Sequence, residues 1–138
     1  MSRKGGLIIN RDDHARLTRL FAGDFASVFS DKPYLADLRR ALVVAQVVAP
    51  GDIPHDVVTM NSTVRLRDLQ FGDVETYRLV YPEDAHIAEG RMSILAPIGT
   101  AILGSRVGER VRSPIPGGAA TVQIEELIFQ PERDGVAV

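Results

Sequence analysis

The chain has 138 residues, 45% of them apolar and 25% charged, with a formal net charge of −2 and no cysteine. That length carries one domain, or one domain with a small appendage, and the balance is that of an ordinary folded protein. Near-neutral charge argues against a general nucleic-acid binder, and the missing thiols exclude disulfides, thiolate catalysis and cysteine-ligated zinc.

The apolar run Leu7-Ile8-Ile9 is too short for a signal-peptide core and reads as a brief strand or a packed lead-in. No stretch approaches the roughly 20 apolar residues that span a bilayer, so no membrane partner is expected and the cytoplasm is the default compartment. Asn10 suits a helix N-cap, and Asp12 and Asp13 place negative charge in the first turn of a helix over 11–22, which Gly23 ends. A loop follows that carries Asp24, Phe25, Val28, Phe29 and Asp31. Pro33 starts a second helix, in which Leu35, Leu38, Leu42, Ala45 and Ala49 recur at spacings of three and four, the seam of a paired helix. Val43, Val44, Val47 and Val48 make this segment greasy beyond its seam. A strand competes for 41–48 because β-branched residues are weak helix formers, but the regular spacing favours a helix. The additional apolar face then needs a cover: the rest of the chain, or a second copy in a homodimer. Two helices joined by a short loop form an antiparallel hairpin, a short coiled coil.

Pro50-Gly51-Asp52-Ile53-Pro54 cannot continue a helix and divides the chain into an N-terminal hairpin, 1–52, and a second domain, 53–138. Beyond it, apolar alternation predicts strands at 57–60, around Val64 to Leu69, around Tyr77 to Tyr81, at 92–95, at 110–113 and from Val122 to Phe129. A phase slip at Glu125-Glu126 marks a β-bulge in the last of these. Pro82 to Arg91 reads as a polar loop, Pro97 to Leu103 as a short helix, and Pro131 to Val138 as a loose tail. Strands around one helix give an α+β domain, an antiparallel sheet with the helix on its face.

No catalytic or metal-binding constellation emerges. His55-Asp56 lacks a nucleophile and reads as a hydrogen bond fixing the linker. His14, His55 and His86 have no ligand spacing, and His86 with Glu89 is a weak pair in a polar loop. Pro116-Gly117-Gly118 leads into a strand rather than a helix N-terminus, so it is a turn and no phosphate cradle. Arg65, Arg67 and Arg78 are expected on one outward sheet face, with Arg110 and Arg112 on a neighbouring strand, either solvated or as a docking surface for an acidic partner or a nucleic-acid backbone. No cofactor is called for.

The run Ser93-x-x-x-Pro97-Ile98-Gly99-x-Ala101-Ile102-Leu103-Gly104, then Val107-Gly108-Glu109 and Pro116-Gly117-Gly118, resembles the C-terminal domain of the Gre transcription factors over about 61–129. The segment Ile53-Pro54-His55-Asp56-Val57-Val58-Thr59-Met60-Asn61-Ser62 resembles the interdomain segment of the related regulators of nucleoside diphosphate kinase, the Rnk family. The resemblance implies an FKBP-like second domain and RNA polymerase as partner, docked near its secondary channel. By the same resemblance Ala96, Pro97 and Ile98 are the polymerase contact, and Asp24, Phe25 and Asp31 form the hairpin tip. Gre factors carry two acids at that tip which help to hold a second Mg²⁺ for cleavage of backtracked RNA, since this hard cation takes oxygen ligands. This chain departs in reach. Its second helix has room for about 16 residues, roughly 24 Å, and Asp24 and Asp31 are not adjacent. The expected function is thus a non-catalytic transcription modulator acting at the channel, without strong direct nucleic-acid binding. The alternatives are a cleavage factor with a short arm and an FKBP-like prolyl isomerase or peptide binder. A prolyl pocket wants aromatic walls, and this chain is 6% aromatic with no tryptophan.

Overall fold

The computed structural model describes residues 6–23, 32–115 and 117–135. The chain opens with β1 (Ile8–Asn10) and passes directly into α1 (Arg11–Ala22). Asn10 is the cap that links them: its Oδ1 accepts the Asp13 N–H at 2.8 Å, satisfying one of the helix's free donors. Leu17 and Phe21, four apart, bury one face of α1. The expected loop residues Asp24, Phe25 and Asp31 lie outside the described residues.

Helix α2 (Pro33–Val43) begins on Pro33, where a missing N–H costs nothing, and buries Leu35, Leu38 and Leu42. The expected seam is therefore real as far as Leu42, but the helix stops at Val43. The chain turns at Val44 and continues as β2 (Gln46–Val48), so a helix through Ala49 is not what forms. The cause is tertiary. β2 pairs in parallel with β1, and the Gln46 N–H donates to the Leu7 carbonyl at 2.8 Å. A strand partner at hand outweighs a few tenths of a kcal/mol of helix propensity in a valine-rich segment.

The α1–α2 contact includes one polar tie. His14 Nε2 lies 2.8 Å from the Leu42 carbonyl; a carbonyl only accepts, so Nε2 carries the proton. The bond satisfies a carbonyl in the last turn of α2. His14→Ala is expected to lower stability by about 1 kcal/mol, the usual net worth of one such bond, read from a urea midpoint that shifts at constant slope.

After a 3₁₀ turn at Pro50–Asp52 comes the main sheet: β3 (Thr63–Asp68), β4 (Val74–Val80), β5 (Arg91–Ser93), β6 (Arg110–Ile115) and β7 (Gly118–Phe129), in spatial order β5-β4-β3-β7-β6. Three of its pairings are antiparallel. β5 runs parallel to β4, so the sheet is mixed rather than wholly antiparallel as the pattern predicts. The parallel arrangement is reached through two 3₁₀ turns, Pro82–Asp84 and Ile87–Glu89, in the expected polar loop. The β3–β7 register slips twice, once across Glu125, because Leu66 faces Ile124 while Arg65 faces Glu126. That is the bulge expected from the phase slip, and it keeps Val122, Ile124 and Leu127 all facing the core.

Two segments differ from expectation. Val57, Val58 and Met60 are buried, yet the only strand-like pairing there is the isolated bridge Val57–Arg106. In place of the expected loose segment from Pro131, Pro131–Asp134 forms a short helix, and its Arg133 guanidinium donates to the carbonyls of His55, Leu127 and Ile128. Between these segments sits Gln130, fully buried, with Nε2 donating to the Pro54 and Val57 carbonyls.

One hydrophobic cluster includes Leu7, Leu17 and Leu38 from the first part of the chain and Val64, Leu79, Ile102 and Ile124 from the second. Removal of so much apolar surface from water, at roughly 25 cal/mol per Å², is the main force holding them together.

Candidate functional site

The site is built around the short helix α3 (Pro97–Ile102) and the turn that leads into it. Ile94 is fully buried and anchors the turn. Ser93 then serves twice: its Oγ accepts the Leu95 N–H at 3.0 Å, and its carbonyl accepts the Ala96 N–H at 3.0 Å. Thr100 closes the first helical turn, donating its hydroxyl to the Ile94 carbonyl at 2.6 Å. These bonds leave Ala96, Pro97 and Ile98 half-buried at the helix start, three apolar residues held on a rigid corner.

Two glycines allow this corner to exist. A Cβ on Gly99 would lie 2.3 Å from the Ser93 carbonyl oxygen and 3.2 Å from Leu79 Cδ1, so only a hydrogen lets the helix backbone approach the turn so closely. Gly104 ends the segment at φ +81°, in the left-handed region, and its N–H donates to the Val58 carbonyl at 2.8 Å. A Cβ there would meet Leu7 Cδ1 at 2.5 Å, which ties the C-terminal end of the motif to the start of the chain.

Pro97 forms part of the wall of a groove of about 1150 Å³ between α2, α3 and the edge strand β6. Tyr34, Ala41, Val43 and Val44 line it from the α2 side, and Arg110, Arg112 and Pro114 from β6. The sequence reading missed this groove. Its signal is the valine run at 43–44, which in sequence is an extra apolar face of a longer helix in need of a cover.

The five expected arginines do share one face. Arg67 faces Gln123, which faces Arg110; Arg65 lies two residues from Arg67, Arg112 two from Arg110, and Arg78 is opposite Thr63. Their charges are treated differently. Arg65 pairs with Glu126, and Arg67 with Glu125 at 2.6 Å. The Arg67 guanidinium holds the Glu125 carboxyl below the usual range. Arg110 and Arg112 have no acidic partner among the described residues.

A second polar cluster, also missed, fastens α1 to the rest. Tyr81 donates to Asp13 Oδ1 at 2.7 Å; Asn10 Nδ2 donates to Asp13 Oδ2 at 3.1 Å and to Glu132 Oε2 at 2.6 Å; Thr59 donates to Glu132 Oε1 at 2.7 Å. Arg16 lies 3.6 Å from the centroid of the Tyr81 ring and pairs with Glu83. Burial is the main cause that pushes the Asp13 carboxyl up to about 6, reinforced by Glu132 and Asp12 and opposed by the hydrogen bonds from Tyr81 and Asn10. Burial and the nearby Asp13 carboxylate push the Tyr81 hydroxyl above its ordinary value. No pattern of spacing links positions 10, 13, 59, 81 and 132, so only the folded chain shows them together.

The remaining candidates are structural. Asp56 pairs with Arg106 at 2.8 Å rather than with His55, and so fixes the linker across the fold. His86 Nδ1 sits 3.3 Å from Glu89, which also pairs with Arg91, and no group of three potential ligands occurs among the described residues.

The family model for the C-terminal part of the transcription elongation factors GreA and GreB matches residues 53–128. The chain belongs to the Gre/Rnk family. It is 39% identical over 130 residues to the "Regulator of nucleoside diphosphate kinase" of Escherichia coli K12, covering 94% of this chain and 93% of that protein. With a "Transcription elongation factor GreA" of Syntrophobacter fumaroxidans it shares 31% over 93 residues, 67% of this chain and 60% of the relative. Among solved structures, the "Prokaryotic transcription elongation factor GreA/GreB from Nitrosomonas europaea" superposes with a TM-score of 0.76 at 38% identity, over 91% of this chain and all of the other. The glycine-dependent corner at Pro97 falls inside the matched segment of this Gre/Rnk chain.

Proposed function

We propose that this Gre/Rnk protein is a non-catalytic transcription modulator that binds RNA polymerase near its secondary channel. In this reading residues 53–138 form an FKBP-like unit that docks through Ala96, Pro97 and Ile98, and residues 1–52 form a helical hairpin arm. The observation that carries the reading is the length of α2. It has 11 residues, about 16 Å at 1.5 Å per residue, and turns into β2 instead of extending further. So short an arm suits occupation of the channel mouth and competition with longer relatives, not delivery of acids to a catalytic metal. No helix among the described residues is long and apolar enough to cross a membrane, which fits a role in the cytoplasm beside polymerase.

The test is a pull-down with core RNA polymerase. Wild type is expected to bind, and Pro97→Glu to bind about tenfold more weakly, because it sets a charge on an apolar, half-buried corner. Undiminished binding by Pro97→Glu removes this docking site. On backtracked complexes no RNA shortening is expected; shortening that disappears in Asp24→Asn or Asp31→Asn overturns the non-catalytic reading.

A further inference from the structure

The groove beside α3 has a chemistry of its own. Tyr34, Asp37, Ala41 and Val44 follow one another at spacings of three, four and three, so they form a single stripe along α2 and its cap. Val43 and Val44 are 85% and 75% exposed, adjacent apolar side chains left open to water at the end of this stripe. The facing wall is β6, whose outward Arg110 and Arg112 form the lip. Arg40 lies on the groove too, but Asp37 neutralises it. The net charge of the lining is therefore that of Arg110 and Arg112, in a chain whose total is −2. Elsewhere on the sheet face, Arg65 and Arg67 each have a carboxylate partner.

We propose that this groove docks an amphipathic helix of a partner protein, with an apolar ridge against Val43, Val44 and Ala41 and carboxylates on the flank that meets Arg110 and Arg112. Apolar contact supplies affinity and the arginine pair supplies orientation and charge selectivity. A second copy of the chain is the poorer occupant. A two-fold interface sets the same patch on both sides, and two unpaired Arg110–Arg112 lips then oppose each other. An added β-strand is also poorer, because β6 carries Pro114, which has no N–H, and two charges, the features that keep an edge strand from pairing. A helix of about 11 residues matches the length of the α2 stripe. The inference goes beyond the polymerase reading: Pro97 touches the groove, but Val44, Arg110 and Arg112, the residues varied in the test, lie outside the Ala96-Pro97-Ile98 corner.

The test uses the full chain and two fluorescent peptides of about 12 residues. Both carry leucine at helical spacings of three and four; one has glutamate along the flank, the other lysine. The glutamate peptide is expected to bind wild type about tenfold more tightly than the lysine peptide, and salt is expected to narrow that preference. Arg110→Glu combined with Arg112→Glu should reverse the preference. Val44→Asp, at an exposed site that leaves the core intact, should weaken the glutamate peptide about tenfold, while Phe71→Ser, which alters an exposed aromatic outside the groove, should leave it unchanged. Equal binding of the two peptides, or binding of neither, overturns the proposal. So does a wild-type dimer in sedimentation that Val44→Asp converts to monomer, because the occupant is then another copy of this chain.

Discussion

Gly99→Ala is expected to cost about 2–4 kcal/mol of folding stability, although alanine is the better helix former. Two effects compete. Within α3, alanine in place of glycine gains about 1 kcal/mol by restricting the unfolded chain. Against it stands a contact of 2.3 Å between the new Cβ and the Ser93 carbonyl oxygen. That oxygen is backbone and already holds the Ala96 N–H, so it cannot rotate away as a side chain would. Either α3 lifts off the turn, exposing part of Thr100 and Ile102, or the turn opens and the Ser93 bonds are lost. Each route costs more than the propensity gain. Gly104→Ala makes a useful contrast. Its strain at φ +81° is about 1–2 kcal/mol, and its clash is with Leu7 Cδ1, the far end of a flexible side chain. The ordering of urea midpoints should therefore be wild type, then Gly104→Ala, then Gly99→Ala. A Gly99→Ala protein with an unshifted midpoint is incompatible with the close approach of α3 to Ser93. Since the same corner presents Pro97, polymerase binding should fall along with stability in Gly99→Ala.

The second large effect is on pH. Asp13 has its carboxyl raised from 3.8 to about 6 in the folded protein. A raised value means the fold prefers the protonated form. The contribution is complete below 3.8 and is lost as pH rises through about 6. Over that interval the native state holds the proton longer than the unfolded chain, so stability declines with rising pH by up to about 3 kcal/mol from this one group. Asp13 faces Tyr81, Asn10, Glu132 and Asp12, and Glu132 and Asp12 disfavour its negative charge. Glu125 and Asp134 have the opposite sign: their carboxyls are lowered by Arg67 and Arg133, and their stabilisation is lost as pH falls. The quantity to measure is therefore the difference between wild type and Asp13→Asn, by chemical denaturation from pH 4 to pH 8. Asparagine keeps an acceptor for the Tyr81 hydroxyl but does not titrate. The wild-type stability should fall relative to the variant from about pH 4 to about pH 6 and level off above that; parallel curves throughout would show that Asp13 is not buried against Glu132.

Much of the fold is legible from local chemistry. Asn10 as cap, Pro33 and Pro97 as first helical residues and Gly104 as a left-handed stop all depend on their own neighbours, and each stands where its chemistry directs. The bulge at Glu125 is equally local, because a break in a two-residue period can be seen in one strand. Less legible is anything that depends on a distant partner. The valines at 47–48 are compatible with helix or strand, and β1, nearly 40 positions earlier, decides for strand. The direction of β5 is set by its approach to β4, not by its three residues. The tail looked loose because nothing near it in the chain explains Pro131 to Asp134; its partners are His55, Thr59 and Asn10.

For the candidate site the division is the same. The sequence by itself determined the family, through a glycine-rich helix motif whose spacing reflects a backbone contact that only glycine permits, and it marked Pro97 as the start of a short helix. Only the tertiary structure decided what surrounds the corner at Pro97: α2 stops at Val43, β6 lies at the sheet edge, and their side chains enclose a groove whose arginine lip has no acidic partner among the described residues. The reason is that capping, turn geometry and periodicity are interactions within a few residues, whereas strand partnership and buried carboxylate clusters are free energies shared between segments far apart in the chain.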